Sequence, residues 1–193
     1  MPNWCYSEYI ATGDKEQLTK LHSLMDELEG LKAPGLHDNG FGSTWLGNLV
    51  IKLDGDWEKI YCRGSWDNLL LHDDGTVSFS VESAWGELNE VREFIEEKFP
   101  GVKLYFQCEE SGNGVYETND DTGENFPERY YLWVEDSDSL YHETLEGLIK
   151  DVENITGSKN LKTFDSCKKA LESYSRKNHD LCYTLEEFSV VDD

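Results

Sequence analysis

Three stretches of this 193-residue chain place chemically capable side chains close together. Tyr141-His142-Glu143-Thr144-Leu145-Glu146 begins like a zinc-protease helix, with a potential metal-binding His followed by a potential general base. The motif needs a second His one turn later to complete the metal face. Glu146 stands there, so His142 reads as an exposed residue near the start of a helix. Asp54-Gly55-Asp56-Trp57-Glu58 and Asn119-Asp120-Asp121-Thr122-Gly123-Glu124 have the oxygen-rich composition of calcium loops. In EF-hand register, however, Lys59 occupies the obligatory glycine position of the first and Thr118 the leading carboxylate position of the second. Both read as solvated turns. Cys108 precedes Glu109 and Glu110, whose charge would raise the thiol pKa and work against a nucleophile. The histidines are dispersed, and there is no GxSxG, P-loop or GxGxxG signature. We therefore predict no catalytic residue, no metal ligand and no cofactor.

The tryptophans admit two readings. Trp4, Trp66 and Trp85 could line a ligand cleft, since large rings with a polar handle suit recognition sites. The same rings bury enough area to serve as core pillars, and the sequence favours that role for Trp4, Trp66 and Trp85.

The elements that position these residues are legible from their periodicity. Trp4–Ala11 is a predicted strand. Asp14 with Gln17 caps a helix whose Leu18, Leu21, Met25 and Leu28 share one face, and Gly30 stops it. Residues 33–59 read as a long irregular connection with a short apolar stretch, Trp45–Leu53, that suits a helical turn or a strand; connections of this length are more often functional than idle. Trp66–Leu71 and Thr76–Val81 flank Asp73-Asp74-Gly75 as a hairpin. Leu88, Val91, Phe94 and Ile95 mark a second helix, and Val102, Leu104, Phe106 and Cys108 a strand. Further strands are predicted at Gly112–Tyr116 and Arg129–Val134. Two more helices are built on Tyr141, Leu145, Leu148, Ile149 and Val152 and on Phe164, Cys167, Leu171 and Tyr174, with a closing strand in Tyr183–Val191. The fold class is α+β: a ferredoxin-like βαββαβ antiparallel sheet with helices on one face, extended by extra strands and C-terminal helices.

Composition narrows the function classes. The formal charge is −23, from 17 Lys+Arg against 40 Asp+Glu, so direct binding to nucleic-acid phosphates is disfavoured. Between Glu109 and Asp138 ten acidic residues face the lone Arg129. Such an excess reads first as solubilising, and as a nucleic-acid mimic only with a specific partner. No apolar stretch reaches the roughly 20 residues of a membrane-spanning helix, and no signal-peptide pattern opens the chain. Five scattered cysteines without a CxxC pair read as free thiols. The expectation is a cytoplasmic protein.

Met1-Pro2-Asn3-Trp4-Cys5, Trp66-Asp67, Ser83-Ala84-Trp85, Phe99-Pro100 and Glu110-Ser111-Gly112 follow one another in an order that resembles the YubB-like, or Api-ninety-two-like, ferredoxin-like domain family. The resemblance covers residues 1–135 and implies a bacterial mobile-element accessory protein without implying a reaction. The family's Trp-Gly-Thr-Lys-Trp-Asp element appears here as Cys62-Arg63-Gly64-Ser65-Trp66-Asp67, and Gly86-Glu87-Leu88 replaces the prolines that usually follow the later Trp. Residues 1–135 are thus expected to form the YubB-like domain, and 136–193 a helical C-terminal extension packed on it. The leading expectation is a non-catalytic module that binds a protein. Candidate binding residues are Trp4, Trp66, Asp67, Trp85 and Glu110. Glu117, Asp120, Asp121 and Glu124 join them if the acidic stretch imitates nucleic acid to block a host protein. A small enzyme with a cleft near Trp66, Trp85 and Glu110 is the remaining alternative.

With neither metal nor disulfide expected, thermal melts in the presence of chelator or reductant should superimpose on the untreated melt. A drop of several degrees with either reagent would contradict this reading.

Overall fold

The computed structural model describes residues 2–192; Met1, the first residue of the Met1-Pro2-Asn3-Trp4-Cys5 stretch, lies outside them. The chain divides into two compact units, one ending at Asn119 and the other spanning Asp120–Asp192. The division falls before the position 135 at which the family resemblance ends.

The first unit contains β1 (Trp4–Gly13), α1 (Lys15–Glu29), α2 (Leu46–Lys52), β2 (Gly64–Leu71), β3 (Val77–Ala84), α3 (Asn89–Lys98), β4 (Val102–Glu110) and β5 (Val115–Thr118). Its strands run in the order β2-β3-β1-β4-β5, each neighbouring pair antiparallel. Alternation sets the faces. Cys5, Ser7, Tyr9 and Ala11 of β1 are buried, whereas Trp4, Tyr6 and Glu8 between them are exposed. α1 turns Leu18, Leu21, Met25 and Leu28 inward, and the Asp14 side chain caps it by accepting the Gln17 backbone N–H at 3.0 Å. α3 brings Val91, Arg92 and Ile95 against Tyr9, Phe79 and Leu104. The apolar stretch that suited either a turn or a strand is helical, as α2.

One buried charge pair sits in this core. Arg92 Nε lies 3.2 Å from Glu87 Oε1, which also accepts the Tyr9 hydroxyl at 2.8 Å, and the guanidinium lies 5.4 Å from the Phe106 ring centroid. Burial raises the Glu87 pKa, against the opposing pull of Arg92 and Tyr9.

The second unit contains β6 (Tyr130–Val134), β7 (Leu140–His142), α4 (Leu145–Thr156), α5 (Phe164–Lys177), β8 (Tyr183–Glu187) and β9 (Ser189–Val190). A three-stranded antiparallel sheet, β7-β6-β8, packs Leu132, Val134 and Leu185 against Leu148 and Val152 of α4 and Cys167 and Leu171 of α5. Tyr141 and His142 belong to β7 rather than to a helix, because Thr144 takes the N-cap and accepts the Gly147 N–H at 3.2 Å. His142 is not the exposed residue predicted: its side chain is only 10% exposed, and Nε2 lies 3.7 Å from Asp151. Among the described residues, no helix is long and apolar enough to cross a membrane.

Trp66 is in the core, at 1% exposure, but Trp4 and Trp85 are corrections at 45% and 50%; Trp4 stands on the outward face of β1, opposite to Cys5 and Ser7 in the alternation. Continued β3 alternation would point residue 85 at the buried face, alongside Val81 and Ser83. Trp85 instead adopts φ 77 as the strand ends, with its N–H donating to the Asn3 carbonyl at 2.9 Å, and this left-handed turn carries the ring into solvent. Trp66→Ala should therefore cost ~3–5 kcal/mol. Trp85→Gly, which fits the positive φ, should cost less than ~1 kcal/mol or stabilise. Denaturant midpoints of the two variants check this, and equal losses would contradict it.

Candidate functional site

The irregular connection after α1 is held in a defined shape by two asparagines. Asn48, on α2 and wholly buried, makes five hydrogen bonds to it. Its Nδ2 donates to the carbonyls of Pro34, Gly42 and Ser43 at 3.0, 3.1 and 3.0 Å, while Oδ1 accepts the N–H groups of Leu36 and His37 at 3.1 and 3.3 Å. Asn39 repeats the device from within the loop, donating to Pro34 and His37 carbonyls at 2.8 Å and accepting the Phe41 and Gly42 N–H groups at 2.7 and 2.8 Å. The loop is exposed or half-buried, and the two amides satisfy the backbone groups they reach without a sheet or helix ladder. Gly35, at φ 90, leaves room for the Asn48 amide that a Cβ would occupy.

This loop presents His37 and Phe41 beside Trp45 and Trp57. The ring centroids of His37 and Trp57 are 4.5 Å apart, and those of Trp45 and Trp57 5.4 Å apart at an interplanar angle of 69°. Trp45, 6% exposed, lies back over Gly47, where any Cβ would overlap its ring. The rings wall a cleft of about 560 Å³, within the size range of ligand pockets. Tyr61 lines its mouth at 47% exposure, and the charged lining residues are Asp38, Glu58, Lys59, Arg63 and Glu90.

Hydrogen bonds fix the far wall. Asp56, a would-be calcium ligand, instead pairs with Lys59 at 2.7 Å and accepts the Glu58 N–H at 3.1 Å, and the Lys59 bond lowers its pKa. Glu90 accepts the Tyr61 N–H at 2.7 Å. Cys62 places a thiol in the same lining, donating to the Trp57 carbonyl at 3.8 Å. Burial pushes its pKa up to about 11, so it is a neutral thiol at physiological pH and a poor nucleophile. Cys108 is also raised, first by its hydrogen bond with Cys5 and then by burial, with carboxylates contributing less.

The residues expected to form a site are scattered. Trp4 is exposed and meets Phe41 edge-on at 6.1 Å, bordering the aromatic cleft. Trp66 and Asp67 share a separate polar cleft of about 460 Å³ with Glu29, Glu82 and Tyr6, in which the Trp66 indole donates to Glu29 at 2.8 Å. Trp85 and Glu110 line neither cleft. Glu110 is 4% exposed, and its carboxylate accepts the Gly112 and Asn113 N–H groups at 2.6 and 2.9 Å, closing the turn into β5. An enzyme cleft uniting Trp66, Trp85 and Glu110 is therefore absent from the two clefts.

Of the four mimic residues, Glu117 is half-buried on β5, and Asp121 and Glu124 are exposed in the second unit. Asp120 is buried. Burial alone would raise its pKa, but the carboxylate is held below the usual range by the N–H groups of Phe126, Asn125 and Gly123 and the Thr122 hydroxyl. It is committed to a turn and not presented to a partner.

No protein-family model and no curated protein matches the chain. It is similar to a solved structure described as an unknown protein from Galdieria sulphuraria, at 12% identity over 95% of this chain and 97% of that one, with a TM-score of 0.27. So loose a superposition carries no argument about function.

Asn48→Asp tests the loop scaffold. It keeps the acceptor for Leu36 and His37 but turns a carboxylate toward three carbonyls, which should cost about 2 kcal/mol or more and loosen the loop that carries His37. Denaturant unfolding and hydrogen exchange of the 33–44 amides would report it. Unchanged stability and protection would show that Asn48 does not organise the loop.

Proposed function

We propose that this chain is a non-catalytic protein-binding module of the YubB-like, ferredoxin-like kind, and that it engages its partner at the aromatic cleft. The strand order β2-β3-β1-β4, with α1 and α3 in the two connections, supports the ferredoxin-like arrangement. The observation that carries the binding reading is the His37–Trp45–Trp57 wall. Aromatic anchors in a preshaped pocket are what protein interfaces use as hot spots. The rings are held by a hydrogen-bonded scaffold, so little ordering entropy opposes binding.

The same lining argues against catalysis by nucleophilic attack, because Cys62 is a raised, hydrogen-bonded thiol. The nucleic-acid mimic is the weaker reading, since Asp120 is spent inside a turn. Five free cysteines, four of them buried, are compatible with a reducing cytoplasm, and the family resemblance supplies the mobile-element setting.

Affinity capture from bacterial lysate with the wild type, Trp57→Ala, and the triple variant Glu117→Gln, Asp121→Asn, Glu124→Gln tests this. A protein retained by the wild type and the triple variant, and lost with Trp57→Ala, is the expected result. Loss with the triple variant and retention by Trp57→Ala would transfer the function to the acidic surface.

A further inference from the structure

We infer that the aromatic cleft receives an organic cation, the guanidinium or ammonium of a basic side chain on the partner; this rests on the reading of the cleft as the protein-binding site. The His37 and Trp57 ring centroids lie 4.5 Å apart with the planes tilted by 39°, and the carboxylates that follow them in sequence, Asp38 and Glu58, both line the same cleft. Both carboxylates are exposed. An aromatic face is the negative pole of the ring quadrupole, and tryptophan is the strongest such acceptor for a cation. Rings and carboxylates thus favour the same charge in the same cleft.

The lining's own cations are Lys59 and Arg63. Lys59 is held by Asp56 at 2.7 Å. Arg63 stands at the start of β2, next to Cys62 and Tyr61, and is held by no ion pair among the described residues. It repels a cation from its own part of the lining, and the carboxylates of Asp38 and Glu58 attract one. The protein's net charge of −23 adds a long-range attraction for a basic segment. The cleft's volume of about 560 Å³ accommodates one long side chain with its flanking backbone.

The test uses the full chain and three short fluorescent glycine-serine peptides, carrying arginine, lysine, or citrulline as the neutral arginine isostere. Binding is followed by anisotropy at low and physiological salt. The arginine and lysine peptides should bind about tenfold or more tighter than the citrulline peptide, and Trp57→Ala should weaken them about tenfold. Asp38→Asn with Glu58→Gln, a change confined to exposed side chains, should weaken them several-fold without moving the melting temperature. Asp121→Asn with Glu124→Gln should change affinity less than twofold. Equal binding of citrulline and arginine peptides overturns the inference. If that binding still depends on Trp57, the cleft remains a protein-binding site of another specificity. Equal losses from the Asp38/Glu58 and Asp121/Glu124 pairs would mean diffuse charge attraction and also overturn it, as would no peptide binding to a protein that still captures a Trp57-dependent partner.

Discussion

A buried amide, Asn48, ties the irregular connection after α1 to α2, with Asn39 bracing it from within. Its five hydrogen bonds join both ends of the loop after α1 to α2, and α2 is in turn packed on α1, α3 and β2. Its Oδ1 accepts the backbone N–H of His37 itself, so the placement of the ring wall follows directly from this residue. Buried polar groups of this kind are costly when half-satisfied and rigidifying when fully satisfied. Here the amide matches donors and acceptors that no strand or helix supplies.

The arrangement gives the cleft stiff walls and little reactivity. Trp45 is trapped over Gly47, Trp57 meets His37 at a tilt, and the Cys62 thiol is occupied with a backbone carbonyl. A preorganised aromatic surface with exposed carboxylates in its lining suits recognition, where rigid rings reduce the entropy lost on binding. In the buried Tyr9–Glu87–Arg92 group, Glu87 Oε1 accepts from both the Tyr9 hydroxyl and the Arg92 Nε on α3.

The regular elements of the first unit were readable because each has one buried and one exposed face. Leu18, Leu21, Met25 and Leu28 mark α1, and Val77, Phe79 and Val81 mark β3. Trp85 broke the pattern because a left-handed residue reverses the facing of a side chain, and nothing in the composition of Ser83-Ala84-Trp85-Gly86 requires φ 77. Tyr141 mimicked a helical stripe because it lies at the right spacing before Leu145, yet Thr144 caps the helix after it. Glu110 and Asp120 were read as surface charge because acidic residues in Gly- and Asn-rich turns are usually solvated, whereas both fold back onto backbone N–H groups. The cleft itself was illegible. His37, Trp45 and Trp57 share no period, and they meet only because Asn48 folds the loop between them. Their one sequence signal is the density of aromatic residues, Phe41, Trp45, Trp57 and Tyr61, in an otherwise irregular connection.

The most direct test of the cleft as the binding site is the assigned amide and indole N–H spectrum of the protein as a captured partner, or a partner-derived peptide, is added. The indoles of Trp45 and Trp57 and the amides of residues 36–41 should shift together and saturate at one affinity, with the amides of Asp121 and Glu124 unmoved. Saturating shifts confined to Asp121, Glu124 and their neighbours, with the Trp45 and Trp57 indoles unchanged, would contradict the account.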